Sequence, residues 1–365
     1  MDDAVKTLVE EEYGLKVYDC EENGNRTILR TERGIVYLYS CPAAYRFKGK
    51  FVERTRKHLL QHSQFGMLPV LETRNGESYV VLNEEMYVLQ NGIREAVPTD
   101  LPFATGQALA QFHQGTSSFT GNRWFLPYSS LGSWPGMWRK RLRKLSAYRD
   151  DLEQERGEIT PFDEYILTTY TYVNHMGDVA VHYLQDACYS EVIKQTAAFG
   201  KVAYQNFGEG NILFGEDGTR FLGGEWCWVL DMRARDIGQW IKAEIRQNGW
   251  QEDTVARFLD GYNSCTPLLC EEYGVIYALL LYPGRFLKLV EAYSNLTPLD
   301  RRDPEFAMWP AELDEELLAM EEAWRAFPKL VLDRYGAALP HIEWLWDVCE
   351  RPAESTSACD AASSS

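Results

Sequence analysis

The first part of the chain alternates apolar and polar residues in short runs, which is the pattern of β-strands. Residues 27–31 (TILRT) and 34–39 (GIVYLY) predict two strands joined by a tight turn, and 79–82 with 87–89 predict another pair. Between these pairs, residues 51–61 place apolar side chains at a helical spacing. The first lobe is therefore predicted to span residues 1–97, with a β-sheet and one helix.

After Pro98 the apolar positions recur every three or four residues, which predicts a mainly helical second region over 98–350. The clearest case is a helix from Trp134 to about Glu155. Helices are predicted at 103–114, 134–155, 162–184, 188–198, 254–263, 268–294, 312–328 and 341–349. Residues 202–228 instead read as loop, strand, turn and strand. The small, polar tail at 351–365 is predicted to be disordered.

Composition narrows the class of protein. The 365 residues include 54 Asp and Glu against 37 Lys and Arg, so the formal net charge is −17. That excess argues against nucleic acid as a partner, because phosphate binding needs a positive surface. The longest apolar run, 275–282, is far shorter than the roughly 20 residues that a membrane-spanning helix needs. No membrane insertion is expected.

The N-terminus and the cysteines indicate the compartment in which the protein is made. The N-terminus, MDDAVKTLVEEEYG, lacks a basic segment followed by an apolar one, so no signal peptide is predicted. The eight cysteines include no CxxC pair, which argues against a structural zinc site and a small disulfide scaffold. Synthesis in the cytoplasm is expected.

One short segment carries the candidate chemistry. Gly208–Phe214 (GEGNILF), followed by a predicted hairpin over 212–228, resembles the catalytic loop and hairpin of the aminoglycoside phosphotransferase and choline kinase superfamily. Further segments resemble its spore-coat branch, the CotS type of endospore-forming bacteria. They are Leu109–His113 (LAQFH), Trp226–Trp228 (WCW), Arg235–Ile241 (RDIGQWI), Asn248–Trp250 (NGW) and Leu281–Phe286 (LYPGRF).

The resemblance implies an α+β, two-lobed, protein-kinase-like fold. It also implies a catalytic loop at 204–214, in which the family has His-x-Asp followed by a metal-binding Asn. Here the first two positions are Tyr204 and Asn206, while Asn211 matches the metal-binding Asn. An amide cannot accept the proton of an attacking hydroxyl, and losing a general base costs about 10²–10⁴ in rate.

Two further departures concern the nucleotide phosphates and the metal. The family's magnesium-binding Asp corresponds to Gly223, and its phosphate-binding Lys corresponds to Tyr39. Phosphoryl transfer depends on neutralising the phosphate charge, so these losses predict neither metal binding nor a bound cofactor. The three losses at Tyr39, Asn206 and Gly223 are interpreted as independent of one another.

Rescue of the site remains an alternative. Glu225 matches the second acid of the hairpin motif and, on a regular strand, would share a face with position 223. Lys48 or Lys50 could fold back over a nucleotide. Asn211 and Glu225 are thus weak candidates for cofactor binding. His113 and Asp236 are expected to be structural, and His58 with His62 lacks a third metal ligand.

The sequence therefore predicts a catalytically inactive, kinase-like (pseudokinase) structural protein of the bacterial endospore coat, with other coat proteins as partners. The alternative is an active phosphotransferase that uses ATP and magnesium on a small hydroxylated or cationic molecule. A nucleotide-binding pseudokinase that acts as a switch is a third interpretation.

Overall fold

The computed structural model describes residues 3–121, 123–154, 159–186, 189–342 and 345. The N-terminal lobe carries a five-stranded antiparallel sheet with the order β1-β2-β3-β6-β5. Its elements are α1 (Asp3–Tyr13), β1 (Val17–Asn23), β2 (Arg26–Thr31), β3 (Gly34–Pro42), α2 (Gly49–His62), β4 (Phe65–Met67), β5 (Val80–Leu82) and β6 (Glu85–Asn91). A 3₁₀ segment, Ala43–Lys48, links β3 to α2.

The central strand β3 is buried on both faces, which explains its unbroken apolar run. Val36 and Leu38 pack with Val9 of α1 on the outer face of the sheet. Tyr37 and Tyr39 point the other way and join Leu213 of the second lobe. Because side chains alternate along a strand, β3 places its two tyrosines at the junction between the lobes.

The C-terminal lobe is mainly helical, as predicted. Its helices are α3 (Leu101–Thr116), α4 (Trp134–Gln154), α5 (Pro161–Asp186), α6 (Tyr189–Phe199), α7 (Ala234–Asn248), α8 (Glu252–Cys265), α9 (Cys270–Leu281), α10 (Gly284–Ser294) and α11 (Trp309–Tyr335). Its short strands are β7 (Val202–Tyr204), β8 (Ile212–Phe214), β9 (Arg220–Leu222) and β10 (Trp228–Leu230).

Strand pairing connects the lobes directly. The β8–β9 hairpin is antiparallel, and β4 of the N-terminal lobe adds to it in parallel along β9. β10 pairs with β7 and returns the chain to the start of the catalytic-loop segment. The hairpin is therefore held from both lobes.

Three sequence predictions need correction. The single helix predicted over 268–294 is wrong: α9 ends at Leu281, α10 begins at Gly284, and the two are bent by 42°. Pro283 lies between them, and proline disfavours helical backbone in the residue before it.

Helix α1 and strand β1 were not predicted, and the helix predicted at 312–328 extends over Trp309–Tyr335. The helix predicted at 341–349 falls mostly outside the described residues, and the tail at 351–365 falls there entirely.

Across the described residues, no single helix is long and apolar enough to cross a membrane. The bent pair α9 and α10 passes that test only when the two helices are taken together. Both helices bury apolar side chains within the protein core, such as Ile276 and Leu287.

Helices α3 and α8 approach so closely that their crossing excludes side chains. A Cβ atom on Gly106 would lie 2.0 Å from the carbonyl oxygen of Phe258, and one on Gly261 would lie 2.0 Å from that of Phe103. Both obstacles are backbone atoms, which cannot rotate away.

We expect Gly106→Ala to lower the free energy of unfolding by at least about 2 kcal/mol, because overpacking a rigid contact forces the helices apart. Gly136→Ala is the matched control: it lies on α4, where an added Cβ meets nothing within 4 Å. It should be neutral or should stabilise by about 0.5–1 kcal/mol through helix propensity. Urea unfolding of both variants measures the difference, and equal stabilities would contradict the close crossing.

Candidate functional site: a kinase-like cleft joined by contacts between the lobes

The catalytic-loop segment, residues 204–211, runs between the N-terminal sheet and the helices of the C-terminal lobe. It leaves β7 at Tyr204 and enters β8 after Asn211. Gly210 has a φ of +89°, and a Cβ there would lie 2.9 Å from Cγ of Arg26. Glycine is thus required both by the backbone conformation and by the close approach of the N-terminal lobe.

Tyr204 anchors the start of this loop. Its backbone N–H donates to both carboxylate oxygens of Asp236, at 2.9 and 3.1 Å. Its buried hydroxyl donates to the carbonyl oxygens of Gly223 (3.2 Å) and Asn211 (3.4 Å). Burial raises the pKa of Tyr204 well above its usual range, so the phenol stays neutral. This side chain holds the loop and the hairpin together.

His113 and Asp236 are buried and contact each other, as expected of a packed, hydrogen-bonded pair. The imidazole Nε2 lies 3.0 Å from the Asp236 carboxylate, and Nδ1 lies 2.8 Å from the Tyr262 hydroxyl. Burial lowers the pKa of His113 to about 3, so the ring is neutral near pH 7. Among the residues that the structure describes, no group of three or more His, Cys, Asp or Glu could hold a metal ion.

Asn206 and Asn211 are both contacted by Asn25, from the turn between β1 and β2. The Asn25 side-chain amide donates to the backbone oxygen of Asn206 and to Oδ1 of Asn211, each at 2.7 Å. Oδ1 of Asn211 also accepts from the N–H of Gly208 at 3.0 Å. The oxygen that a metal would need therefore already accepts two hydrogen bonds.

The turn itself rests on the loop. The backbone N–H of Asn25 donates to the carbonyl oxygen of Glu209 at 2.8 Å, and a Cβ on Gly24 would lie 2.5 Å from that same oxygen. This contact, which we call the Asn25 bridge, separates two cavities of about 550 and 760 Å³. Both cavities are lined by Asn25 and Asn206, so the bridge forms their shared wall.

Tyr39 occupies the space that an acidic side chain at position 223 would need. Its hydroxyl donates to the carbonyl oxygen of Gly210 at 2.7 Å. A Cβ on Gly223 would lie 2.0 Å from that hydroxyl oxygen and 2.7 Å from the adjacent ring carbon. The changes at positions 39 and 223 are therefore coupled, and the interpretation of three independent losses was wrong for these two.

Glu225 does not lie on a regular strand, so it does not share a face with position 223 as predicted. β9 ends at Leu222, Gly224 turns the chain with a φ of +67°, and Glu225–Cys227 forms a 3₁₀ turn. Gly224 adopts a left-handed backbone conformation, which glycine can do because it has no Cβ atom. This conformation turns the chain out of the strand before Glu225.

The buried Glu225 carboxylate is paired instead with the N-terminal lobe. It accepts from Arg56 Nη1 of α2 at 2.8 Å and from Gln90 Nε2 of β6 at 2.6 Å. Burial raises the pKa of Glu225, and the Arg56 guanidinium counteracts part of that rise. Both carboxylate oxygens are thus in use within the protein.

Neither lysine proposed for rescue reaches the loop in this structure. Lys48 is buried, and its Nζ donates to the carbonyl oxygen of Trp228 at 3.2 Å while lying 3.5 Å from the centre of the Tyr45 ring. Burial lowers its pKa to about 8. Lys50 is exposed on α2.

With the geometry established, sequence comparison identifies the family. A sequence model described as "Spore coat putative kinase YutH" matches residues 6–304 of this chain. The chain belongs to the spore coat YutH family. The endospore coat-associated protein YutH of Bacillus subtilis is 23% identical over 309 residues, which cover 79% of this chain and 83% of that protein.

Solved structures confirm the predicted kinase-like fold. An aminoglycoside phosphotransferase from Alicyclobacillus acidocaldarius superposes with a TM-score of 0.58 at 13% identity, covering 88% of this chain and 96% of that one. A microcompartment-associated aminopropanol kinase gives 0.53 at 13% identity, covering 93% and 100%. At such identities the similarity establishes the fold alone. The spore-coat branch predicted from the sequence is confirmed by the YutH family match.

The residues that fill the cleft of this YutH family member were missed from the sequence. Asn25, Arg56 and Gln90 lie in a turn, a helix and a strand, each distant in the chain from its partner. A polar residue in a β-turn or on a helix face carries no local sign of such a partner. Only the fold brings these side chains to the catalytic-loop segment.

The coupling between positions 39 and 223 predicts a non-additive pair of substitutions. Gly223→Asp alone should lower the free energy of unfolding by about 2–4 kcal/mol, because the new side chain overlaps the Tyr39 phenol. In a Tyr39→Lys background, where that ring is absent and a cation can pair with the new acid, the same change should cost at least about 1 kcal/mol less.

Chemical denaturation of the four proteins in this double-mutant cycle measures the coupling energy. Gly136→Asp provides the matched glycine-to-aspartate control at an open, exposed site in the first turn of α4, and it should be near neutral. A coupling energy of zero within error would contradict the steric link between the two positions.

Proposed function

We propose that this chain is a kinase-shaped structural protein of the endospore coat that does not catalyse phosphoryl transfer. One observation carries the proposal: the positions that correspond to the family's metal ligands are blocked by, or paired with, the protein's own side chains. Tyr39 occupies the space of an acid at 223, and Asn25 is bonded to Asn211 Oδ1. A triphosphate with its metal would have to displace both.

The chemistry of the loop supports the same proposal. Asn206 is exposed at the cleft, but its amide has no basicity at neutral pH and cannot take a proton from an attacking hydroxyl. Its backbone oxygen is held by Asn25. A loop without base, metal carboxylate or phosphate-binding lysine has none of the groups that neutralise charge during phosphoryl transfer.

Rescue by Glu225 would require breaking its pairing with Arg56 and Gln90. Removing one partner of a buried ion pair leaves an uncompensated charge, which is strongly destabilising. Arg56 would also retain only its hydrogen bond to the Leu68 carbonyl oxygen, at 3.1 Å. We infer that Glu225 stays with Arg56 and does not bind a metal.

The larger cavity is also poorly suited to a cationic substrate. Arg141 of α4 and Lys288 of α10 line it from the C-terminal lobe. Burial lowers the pKa of Lys288, and Arg141, Arg235 and Arg246 lower it further. Glu22 and Glu85 line the same cavity, but the three cations Arg26, Arg141 and Lys288 leave it with a small excess of positive charge. This local charge opposes the alternative of a phosphotransferase for cationic molecules, despite the acidic chain as a whole.

Family membership supports the coat as the site of action. The matching family is described as a spore coat family, and the Bacillus subtilis relative is described as endospore coat-associated. We propose that the chain is made in the mother-cell cytoplasm, is deposited on the forespore and has other coat proteins as its partners.

We expect no ATP consumption and no magnesium-dependent binding of ATP. A steady-state assay with magnesium or manganese should give the rate of a protein-free blank. At millimolar magnesium-ATP, the melting temperature should rise by less than about 1 °C, because stabilisation scales with ln(1 + [L]/Kd).

The control for that assay is Asn206→Ala, whose side chain is exposed and makes one long contact, 3.4 Å to Asn25 Oδ1. This variant should fold normally. If the unsubstituted chain consumed ATP and the Asn206→Ala variant did not, catalysis would be assigned to this loop and the proposal would be overturned.

We expect a fluorescent fusion to form a ring around the forespore, expressed only during sporulation. Cys20 and Cys270 are exposed free thiols that could form intermolecular disulfides once the coat is oxidised. Release from mature spores should therefore need detergent together with a reductant, and Cys20→Ser/Cys270→Ser should reduce the dependence on reductant. A diffuse vegetative signal with full solubility would contradict the structural role.

A further inference from the structure

Two cysteines meet at the junction of the lobes. Cys41 lies near the end of β3, and Cys227 is the last residue of the 3₁₀ turn that begins at Glu225. Both side chains line the larger cavity described above and also a much smaller one, and the two thiols lie within hydrogen-bonding reach of each other. Both are free thiols, as are the described Cys20, Cys265 and Cys270.

The backbones on both sides of this pair are fixed. Cys41 is in register with Met86 across the β3–β6 pairing. The Cys227 N–H donates to the carbonyl oxygen of Gly224 at 2.9 Å, and its own carbonyl oxygen accepts from the N–H of Gln205 at 2.7 Å. The thiol pair is therefore held by ordered structure from each lobe.

Lys48 makes the two thiols chemically unequal. The hydrogen bond from Cys41 lowers the pKa of the Cys227 thiol, and the nearby Lys48 ammonium lowers it further. The same hydrogen bond, together with burial, raises the pKa of Cys41. With its own pKa lowered to about 8, Lys48 remains mostly charged at pH 7. A thiolate stabilised by a cation is the reactive form of cysteine.

We propose that Cys41 and Cys227 are a redox-active dithiol that a peroxide-class oxidant converts into a disulfide joining the two lobes. The larger cavity, of about 760 Å³, gives a small oxidant access to both sulfur atoms. The proposal does not depend on the chain being inactive as a kinase or on its location in the coat.

The reaction balances with hydrogen peroxide as the oxidant. The Cys227 thiolate attacks one peroxide oxygen, the O–O bond breaks, and the departing hydroxide takes a proton to become water. Cys227 is left as a sulfenic acid. The Cys41 sulfur then attacks the Cys227 sulfur, the S–O bond breaks, and the hydroxyl leaves with the Cys41 proton as a second water. The two thiols lose two electrons and the peroxide gains them.

Closing this bond would covalently connect β3 to the hairpin region across about half of the chain. A disulfide that closes so long a loop stabilises the folded protein mainly because it restricts the conformations of the unfolded chain. For a protein of this size, we expect the melting temperature of the oxidised form to exceed that of the reduced form by about 5–10 °C.

The test uses the full chain, reduced, freed of reductant and treated with a few equivalents of hydrogen peroxide at pH 8. After alkylation of the remaining thiols and non-reducing digestion, mass spectrometry should find the Cys41 and Cys227 peptides joined, with the loss of two hydrogen atoms. In the Cys41→Ser variant, dimedone should label Cys227 as the sulfenic acid at least several-fold faster than the half-buried Cys265.

The matched control is Cys265→Ser, which should keep both the cross-link and the shift in melting temperature, whereas Cys41→Ser and Cys227→Ser should lose both. If a serine variant fails to fold, the peptide map of the unsubstituted chain decides alone. Failure to find the joined peptides under excess oxidant, or a product linked mainly through Cys20 or Cys270, would overturn the proposal.

Discussion

The contact between the Tyr39 phenol and the chain at Gly210 and Gly223 determines the shape of the whole cleft. The ring is buried, its hydroxyl is bonded to the Gly210 carbonyl oxygen, and it leaves no room for a side chain at 223. It also lies within 3.1 Å of where a Cβ on Gly224 would stand. A tyrosine at position 39 in this conformation therefore requires glycine at position 223 of the facing hairpin.

Two polar side chains of the cleft, Glu225 and Asn211, are paired with side chains of the N-terminal lobe. Buried carboxylates and amides are stable only when hydrogen-bonded, so the loss of a ligand's cations and donors must be compensated within the protein. Arg56 and Gln90 donate hydrogen bonds to the Glu225 carboxylate, and Asn25 donates one to Oδ1 of Asn211. Active sites commonly keep such groups unsatisfied at a cost in stability. Here they contribute to joining the lobes.

Local patterns predicted the strands β2 and β3, helix α2 and the start of α4 at Trp134, because each has an uninterrupted period and a marked end. The catalytic-loop segment was identified by its resemblance to the kinase superfamily and not by such a pattern. The strand predicted through Glu225 was wrong because a strand pattern gives no sign of the left-handed turn at Gly224. The single helix predicted over 268–294 was wrong because the long apolar run conceals the break at Pro283. The sequence indicated that Tyr39 stands where the family has a lysine. It could not show that the Tyr39 ring excludes a side chain at position 223, because that contact depends on how the two lobes meet.

A second set of buried polar contacts holds the shape of the C-terminal lobe. Asp236 binds His113 and the Tyr204 N–H, which fixes the loop to α3 and α7. Arg233 forms a buried pair with Glu272, with two contacts of 2.6 Å, and thereby fixes the start of α7 to α9. Both pairs lie within the C-terminal lobe, so the framework that positions the catalytic-loop segment is fixed by buried ionisable groups of the protein itself. The contacts made by Tyr39, Asn25 and Glu225 instead run between the lobes, so the cleft is joined by a separate set of hydrogen bonds that involves the N-terminal sheet, its β1–β2 turn and α2.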